Sequence, residues 1–201
     1  MKYIEQGSEP QQFIKWKKVN SSNNWDEFSK PISRSYAIYK ELKETLIEQQ
    51  GKMCCYCEVA LKKTTDAHIE HLKDKHNYPK EMFNFKNLLA SCQHNDCCGH
   101  KKGSKYYSKM VSPYDDDCQS RFTYTGNGKI IPTDETDKSA QRTIDLLELN
   151  CRRLKDWRLS LIRMIDNEHI DFEKSLLNCF DWYQGFYTVI QYVANKHKLS
   201  I

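Results

Sequence analysis

Two cysteine clusters, separated by 34 residues, constrain this chain more than any other feature. Cys54-Cys55-Tyr56-Cys57 opens the stretch, and Cys92 with Cys97-Cys98 closes it. Six of the nine cysteines and five of the seven histidines lie within residues 54–102. An odd cysteine count, clustered thiols and a start (Met1 to Gly7) without an apolar leader favour metal binding over disulfides and predict a protein of the reducing cytoplasm. Cys54 and Cys57 have the spacing of a zinc knuckle, and Cys92 and Cys98 supply the other two soft ligands of a tetrahedral Zn²⁺. Gly99 suits a tight knuckle turn, which favours Cys98 over Cys97 and leaves Cys55 a bystander. With four thiolates the shell is closed. The zinc is therefore structural, contributing folding energy on the order of ten kcal/mol to a segment poor in aliphatics.

The stretch between the clusters is longer than a plain zinc ribbon needs. It holds His68, Glu70, His71, His76 and Asn87, with His100, Lys101 and Lys102 just beyond it. A phosphodiester repels an attacking water and has a poor alkoxide leaving group. Its hydrolysis needs a base near neutral pKa, a divalent cation on oxygen, and cations along the backbone. His71 can be the base, Glu70 a hard-oxygen ligand for the cation, and Lys101 or Lys102 a phosphate clamp. Taken alone, any of these histidines reads as a surface or structural residue; the ordering along the chain gives the set its weight.

Charge distribution points the same way. Residues 62–109 carry ten lysines, no arginine and five acids, a net +5 against +4 for the whole chain, so the remainder sits near −1. Positive potential thus coincides with the Cys/His segment, as a polyanionic substrate demands, although a solvated lysine face explains the charge alone equally well. No apolar run approaches a membrane span.

At 201 residues the chain suffices for one substantial core. The fold class expected is α+β, mainly helical, with a zinc-stapled ββα module embedded in flanking helices. Residues 1–50 read as loops and a helix, in which Tyr36, Ile38, Tyr39, Leu42, Leu46 and Ile47 recur at helical spacing before a C-capping Gly51. Residues 51–110 form the metal-built core, with a first strand over Ala67–Leu72 and a helix beginning in Gly99–Lys109. Residues 111–201 give a hairpin and a C-terminal helical region, packed with the core as one domain. The hairpin pairs Phe122–Tyr124 with Lys129–Ile131 around Gly126-Asn127-Gly128. A long helix is predicted over Ser139–Ile165, and a last one over Phe172–Val193. The aromatics of that last helix suit core packing better than base stacking, and suit a partner's docking surface as well as a core.

At the level of motif order the chain resembles the HNH (ββα-metal) endonuclease superfamily. The matching residues are Cys-Cys-Tyr-Cys-Glu (54–58), Ile-Glu-His-Leu (69–72), Asn-Leu-Leu-Ala-Ser-Cys (87–92) and Cys-Gly-His-Lys-Lys-Gly (98–103). They resemble the PtuB-type HNH subunit of Septu antiphage systems and retron HNH effectors. The likeness extends to Met1–Pro10, Gln50-Gly51 and Ala140–Asn150. It implies a nuclease in which His71 activates water, Glu70 holds a catalytic Mg²⁺ or Mn²⁺, and Asn87 orients the loop and His71. The family's last metal ligand stands three residues before the closing lysine. Counting back from Lys102 gives Gly99, which cannot ligate, so His100 is the natural substitute, with His68 or His76 behind it. The implied partners are a PtuA-like ATPase, a retron reverse transcriptase with its noncoding RNA and DNA, and the nucleic acid substrate, DNA or RNA. The rival expectation is a non-catalytic zinc-finger-like module that binds nucleic acid or protein through its lysines.

Overall fold

The computed structural model describes residues 1–20, 24–167 and 185–198. The chain opens with helices α1 (Gln11–Val19), α2 (Trp25–Ser29) and α3 (Tyr36–Gln49). Asn24 starts α2 by accepting the N–H groups of Asp26 and Glu27, which have no helical partner of their own. Leu42, Leu46 and Ile47 form the buried stripe of α3, and Gly51 follows at φ +63°. That left-handed turn delivers the chain into the first cysteines. Gln50, buried beside it, donates to the carbonyls of Met53 and Ala90 (2.8 Å each) and accepts from the Ala90 N–H (2.7 Å). The end of α3 is thereby fastened to the strand that bears the second cysteine cluster.

Strands β1 (Ala67–His71) and β2 (Leu88–Cys92) pair antiparallel, from Ala67 opposite Cys92 to His71 opposite Leu88. Helix α4 (Cys98–Lys102) follows, completing a β-β-α order. It is shorter than the stretch to Lys109 anticipated from sequence, because Gly103 at φ +53° ends it after five residues.

The second hairpin is β3 (Phe122–Tyr124) with β4 (Ile130–Pro132). The single long helix expected over Ser139–Ile165 is two: α5 (Lys138–Leu146), started by the Asp137 carboxylate on the Ala140 N–H, and α6 (Arg152–Asn167). Glu148 breaks it at φ +49°. The break lets the Asn150 side chain accept from the Ile130 N–H and donate to the Ile130 carbonyl, 2.9 Å each, binding the helical turn to β4.

Helix α7 (Tyr187–Lys196) closes the described chain. Of the predicted aromatic helix, residues 172–184 lie outside the described residues. In the described portion Phe186, Val189, Ile190 and Val193 are buried, so this part faces the core. Among the described residues, one hydrophobic cluster runs from Ile4, Phe13 and Leu42 through Leu88 and Val111 to Ile144, Leu161 and Val189. The architecture is mixed α+β with small sheets. No helix among the described residues is long and apolar enough to cross a membrane.

Candidate active site

The thiols converge first. Sulfur atoms of Cys54, Cys57, Cys92 and Cys98 all lie within 4.8 Å of one another, although the residues come from the knuckle, the end of β2 and the start of α4. Cys57 Sγ and Cys92 Sγ are 3.8 Å apart. A tetrahedron with metal–sulfur bonds of about 2.3 Å has edges of about 3.8 Å, so the donor set fits a soft tetrahedral ion. The Cys92 N–H reaches Cys54 Sγ at 3.3 Å, the kind of backbone donor that steadies a thiolate. Burial beside Cys54 pushes the Cys55 thiol well up, in keeping with a protonated bystander. Arg153 reaches Cys97 Sγ at 3.4 Å and pairs with Asp96, linking the cysteine loop to α6.

β1 carries the polar machinery. Glu70 is buried, and its Oε1 meets Lys102 Nζ at 2.8 Å and the Tyr56 hydroxyl at 3.3 Å. Its Oε2 stands 3.6 Å from His68 Nε2. Burial alone would push this carboxyl up, but the His68 ring and the Lys102 ammonium outweigh it and hold Glu70 below its ordinary value. Lys102 is the correction here. Expected as a phosphate clamp, it is 1% exposed, and its ammonium also donates to the carbonyls of His71 (2.9 Å) and Gly103 (3.2 Å). A lysine with three oxygen partners inside the fold is not free to meet a backbone phosphate, whereas Lys101 is exposed.

His71 lies at the end of β1, its ring edge-on to Trp25 at 4.3 Å between centroids. Its Nε2 meets the Met82 carbonyl at 3.0 Å, which fixes the tautomer with hydrogen on Nε2 and the lone pair on Nδ1. Burial lowers its pKa from 6.5 to about 4, below the near-neutral value expected of the base, so the ring is neutral near pH 7 but a weaker base than expected. Asn87 acts on the loop rather than on the ring. Its side chain accepts from the Lys73 N–H (2.8 Å) and donates to the carbonyls of Lys73 (2.9 Å) and Glu81 (3.0 Å). Clamping Glu81 sets the position of its neighbour Met82, and through it the imidazole. A pocket of about 210 Å³ opens at this point, lined by Glu70, His71, Asp74, Lys75, His76, Gly103 and Ser104.

His100, the substitute proposed for the missing ligand, is exposed and turns its Nε2 to Gln93 Oε1 at 3.0 Å. Its ring lies 4.5 Å from that of His68. His76 lines the pocket, and its N–H is held by Asp74. Sequence reasoning missed Trp25, Tyr56 and Met82. Tyr56 stands inside the cysteine motif without a role readable from it, and all three meet the site only through the tertiary fold.

The site is thus a β-β-α unit with a Glu-His pair ending its first strand and a thiol cluster that could hold a metal ion. In comparison with known proteins, the chain resembles HNH endonucleases. It is 26% identical to the candidate HNH endonuclease of retron Ec83 from Escherichia coli, over an alignment of 211 positions covering 83% of this chain and 81% of that protein. It is 31% identical over 115 positions to the Septu protein PtuB from Bacillus thuringiensis, covering 54% of this chain and 41% of PtuB's length. No family model matches the chain.

Proposed function

We propose that this chain is a metal-dependent HNH endonuclease, the effector of a bacterial antiphage defence system of Septu or retron type. In this reading it hydrolyses phosphodiester bonds of nucleic acid in the cytoplasm, under the control of a PtuA-like ATPase and, in a retron setting, of a reverse transcriptase with its noncoding RNA and DNA. The observation that carries the reading is His71: a buried, neutral imidazole, locked by one nitrogen to a backbone carbonyl, beside a buried carboxylate in a pocket.

His71 takes the proton of a water through Nδ1, since Nε2 is committed to Met82. Glu70 offers a carboxylate oxygen to a divalent cation, Mg²⁺ or Mn²⁺, which when bound stabilises charge on the scissile phosphate. Lys102 keeps Glu70 ionised and oriented, and Lys101 meets the nucleic acid backbone. The four thiols hold a structural Zn²⁺, and residues 1–50, 51–110 and 111–201 fold as one domain around it.

The test is cleavage of plasmid DNA and of a transfer RNA pool with Mg²⁺ or Mn²⁺. His71→Ala should lose at least about 100-fold in rate with zinc content and melting temperature kept. Equal cleavage by the variant would remove the base assignment and favour the non-catalytic binding module. Mapping the cut ends assigns DNA or RNA.

A further inference from the structure

His68 and Glu70 sit two residues apart on β1 and so face the same side of the ribbon. Gly99, in α4, packs over that side. A Cβ placed on Gly99 would lie 2.5 Å from His68 Nε2 and 2.6 Å from Glu70 Oε2. Both donor atoms therefore point into the small space in front of this glycine. They are 3.6 Å apart. Two ligands on one divalent ion at about 2.1 Å stand about 3.0–3.4 Å from each other, so a shift of a few tenths of an ångström lets both bind. Glu70 Oε1 is already engaged by Lys102 and Tyr56, which leaves Oε2 for a cation. His100, by contrast, directs its Nε2 to Gln93.

We infer that His68, not His100, supplies the nitrogen ligand of the cation held by Glu70, and that Gly99 is the vacancy that admits its ring. The ligand comes from the strand, and the helix makes room for it. The remaining coordination positions stay open for water and a phosphate oxygen. An imidazole in the shell favours Mn²⁺, Co²⁺ or Ni²⁺ over Mg²⁺, which prefers oxygen. The role of the cation rests on the nuclease reading; its binding by these two residues does not.

The experiment titrates Mn²⁺ alone into the zinc-loaded chain by calorimetry, with pulsed electron paramagnetic resonance to detect a directly bound nitrogen. His68→Ala should weaken Mn²⁺ at least about tenfold, since even outer-shell partners of a metal ligand carry that much, and should abolish the nitrogen coupling. Gly99→His should also weaken Mn²⁺, because the new side chain meets His68 and Glu70. Gly99 has no positive φ, so the backbone accepts the change. Zinc content and melting temperature confirm that each variant is folded. Unchanged Mn²⁺ affinity in His68→Ala overturns the inference, as does loss of the nitrogen coupling in His100→Ala but not in His68→Ala. Wild-type Mn²⁺ binding with nitrogen coupling but no cleavage of any nucleic acid, with the partner ATPase present, would sink the nuclease reading and leave this site standing.

Discussion

Lys102 Nζ lies 2.8 Å from Glu70 Oε1, with the lysine and the carboxylate both buried. Removing one partner strands the other charge in the interior. Lys102→Met should therefore destabilise the fold by about 3–5 kcal/mol, measured by urea unfolding of the zinc-loaded protein. The double variant Lys102→Met/Glu70→Gln should be more stable than Lys102→Met alone, because no bare carboxylate remains. A double variant no better than the single would show that the lysine acts through its carbonyl contacts instead.

The pH behaviour of His71 follows from its burial. Its folded pKa is about 4 against 6.5 when exposed, so between those values the unfolded chain binds a proton that the folded chain refuses. Stability should be fully present above pH 6.5, fall as pH drops towards 4, and lose about 3 kcal/mol from this group across the window. A cation on Glu70 pushes the ring the same way. His71→Gln should flatten that part of the stability profile, read by denaturant titration at several pH values. For cleavage, kcat/KM should show no acidic limb near pH 6.5.

The thiol geometry separates neighbouring cysteines. Cys98→Ser should lose the structural ion, whereas Cys97→Ser and Cys55→Ala should retain one equivalent by elemental analysis. Chelation that strips the ion should unfold the segment around β1 and β2, seen as loss of cooperative melting. Retention of zinc by Cys98→Ser would transfer the fourth position to Cys97.

Asn87 holds three backbone groups of the loop between β1 and β2. Asn87→Ala leaves them without that partner, and should destabilise by about 1–3 kcal/mol while releasing the Met82 carbonyl from its place against His71. Asn87→Asp keeps the acceptor for the Lys73 N–H but loses both donors, so it should not rescue. Cleavage and stability, measured on the same preparations, should both fall; wild-type cleavage in Asn87→Ala would detach the clamp from the catalytic ring.

Much of this arrangement was legible in the sequence, and the reasons differ element by element. The cysteine spacings are local, so Cys54 with Cys57 and the preference for Cys98 could be read directly. The α3 stripe and the Gly126-Asn127-Gly128 turn follow from periodicity and turn chemistry. Lys102 was not readable: a lysine beside another lysine suggests a wet surface, and only the pairing of β1 with α4 places it on Glu70, 32 residues earlier. The interruption at Glu148 was hidden too. Apolar spacing continues across Leu146 to Leu154, and what breaks the helix is a demand from β4 that helix periodicity does not contain. His68 was one of three histidines available to a cation until Gly99 was seen opposite it.

In the β3–β4 ribbon, Tyr124 faces Ile130, while the Thr125 N–H donates to the Lys129 carbonyl, so Ile130 turns its own N–H and carbonyl outward. Those two groups are what another chain's strand would seek. Asn150 meets both with a single side chain, imitating one residue of a third strand. A two-stranded ribbon is thereby sealed at that residue from within, and replacing this amide with leucine would turn an internal seam into an adhesive edge.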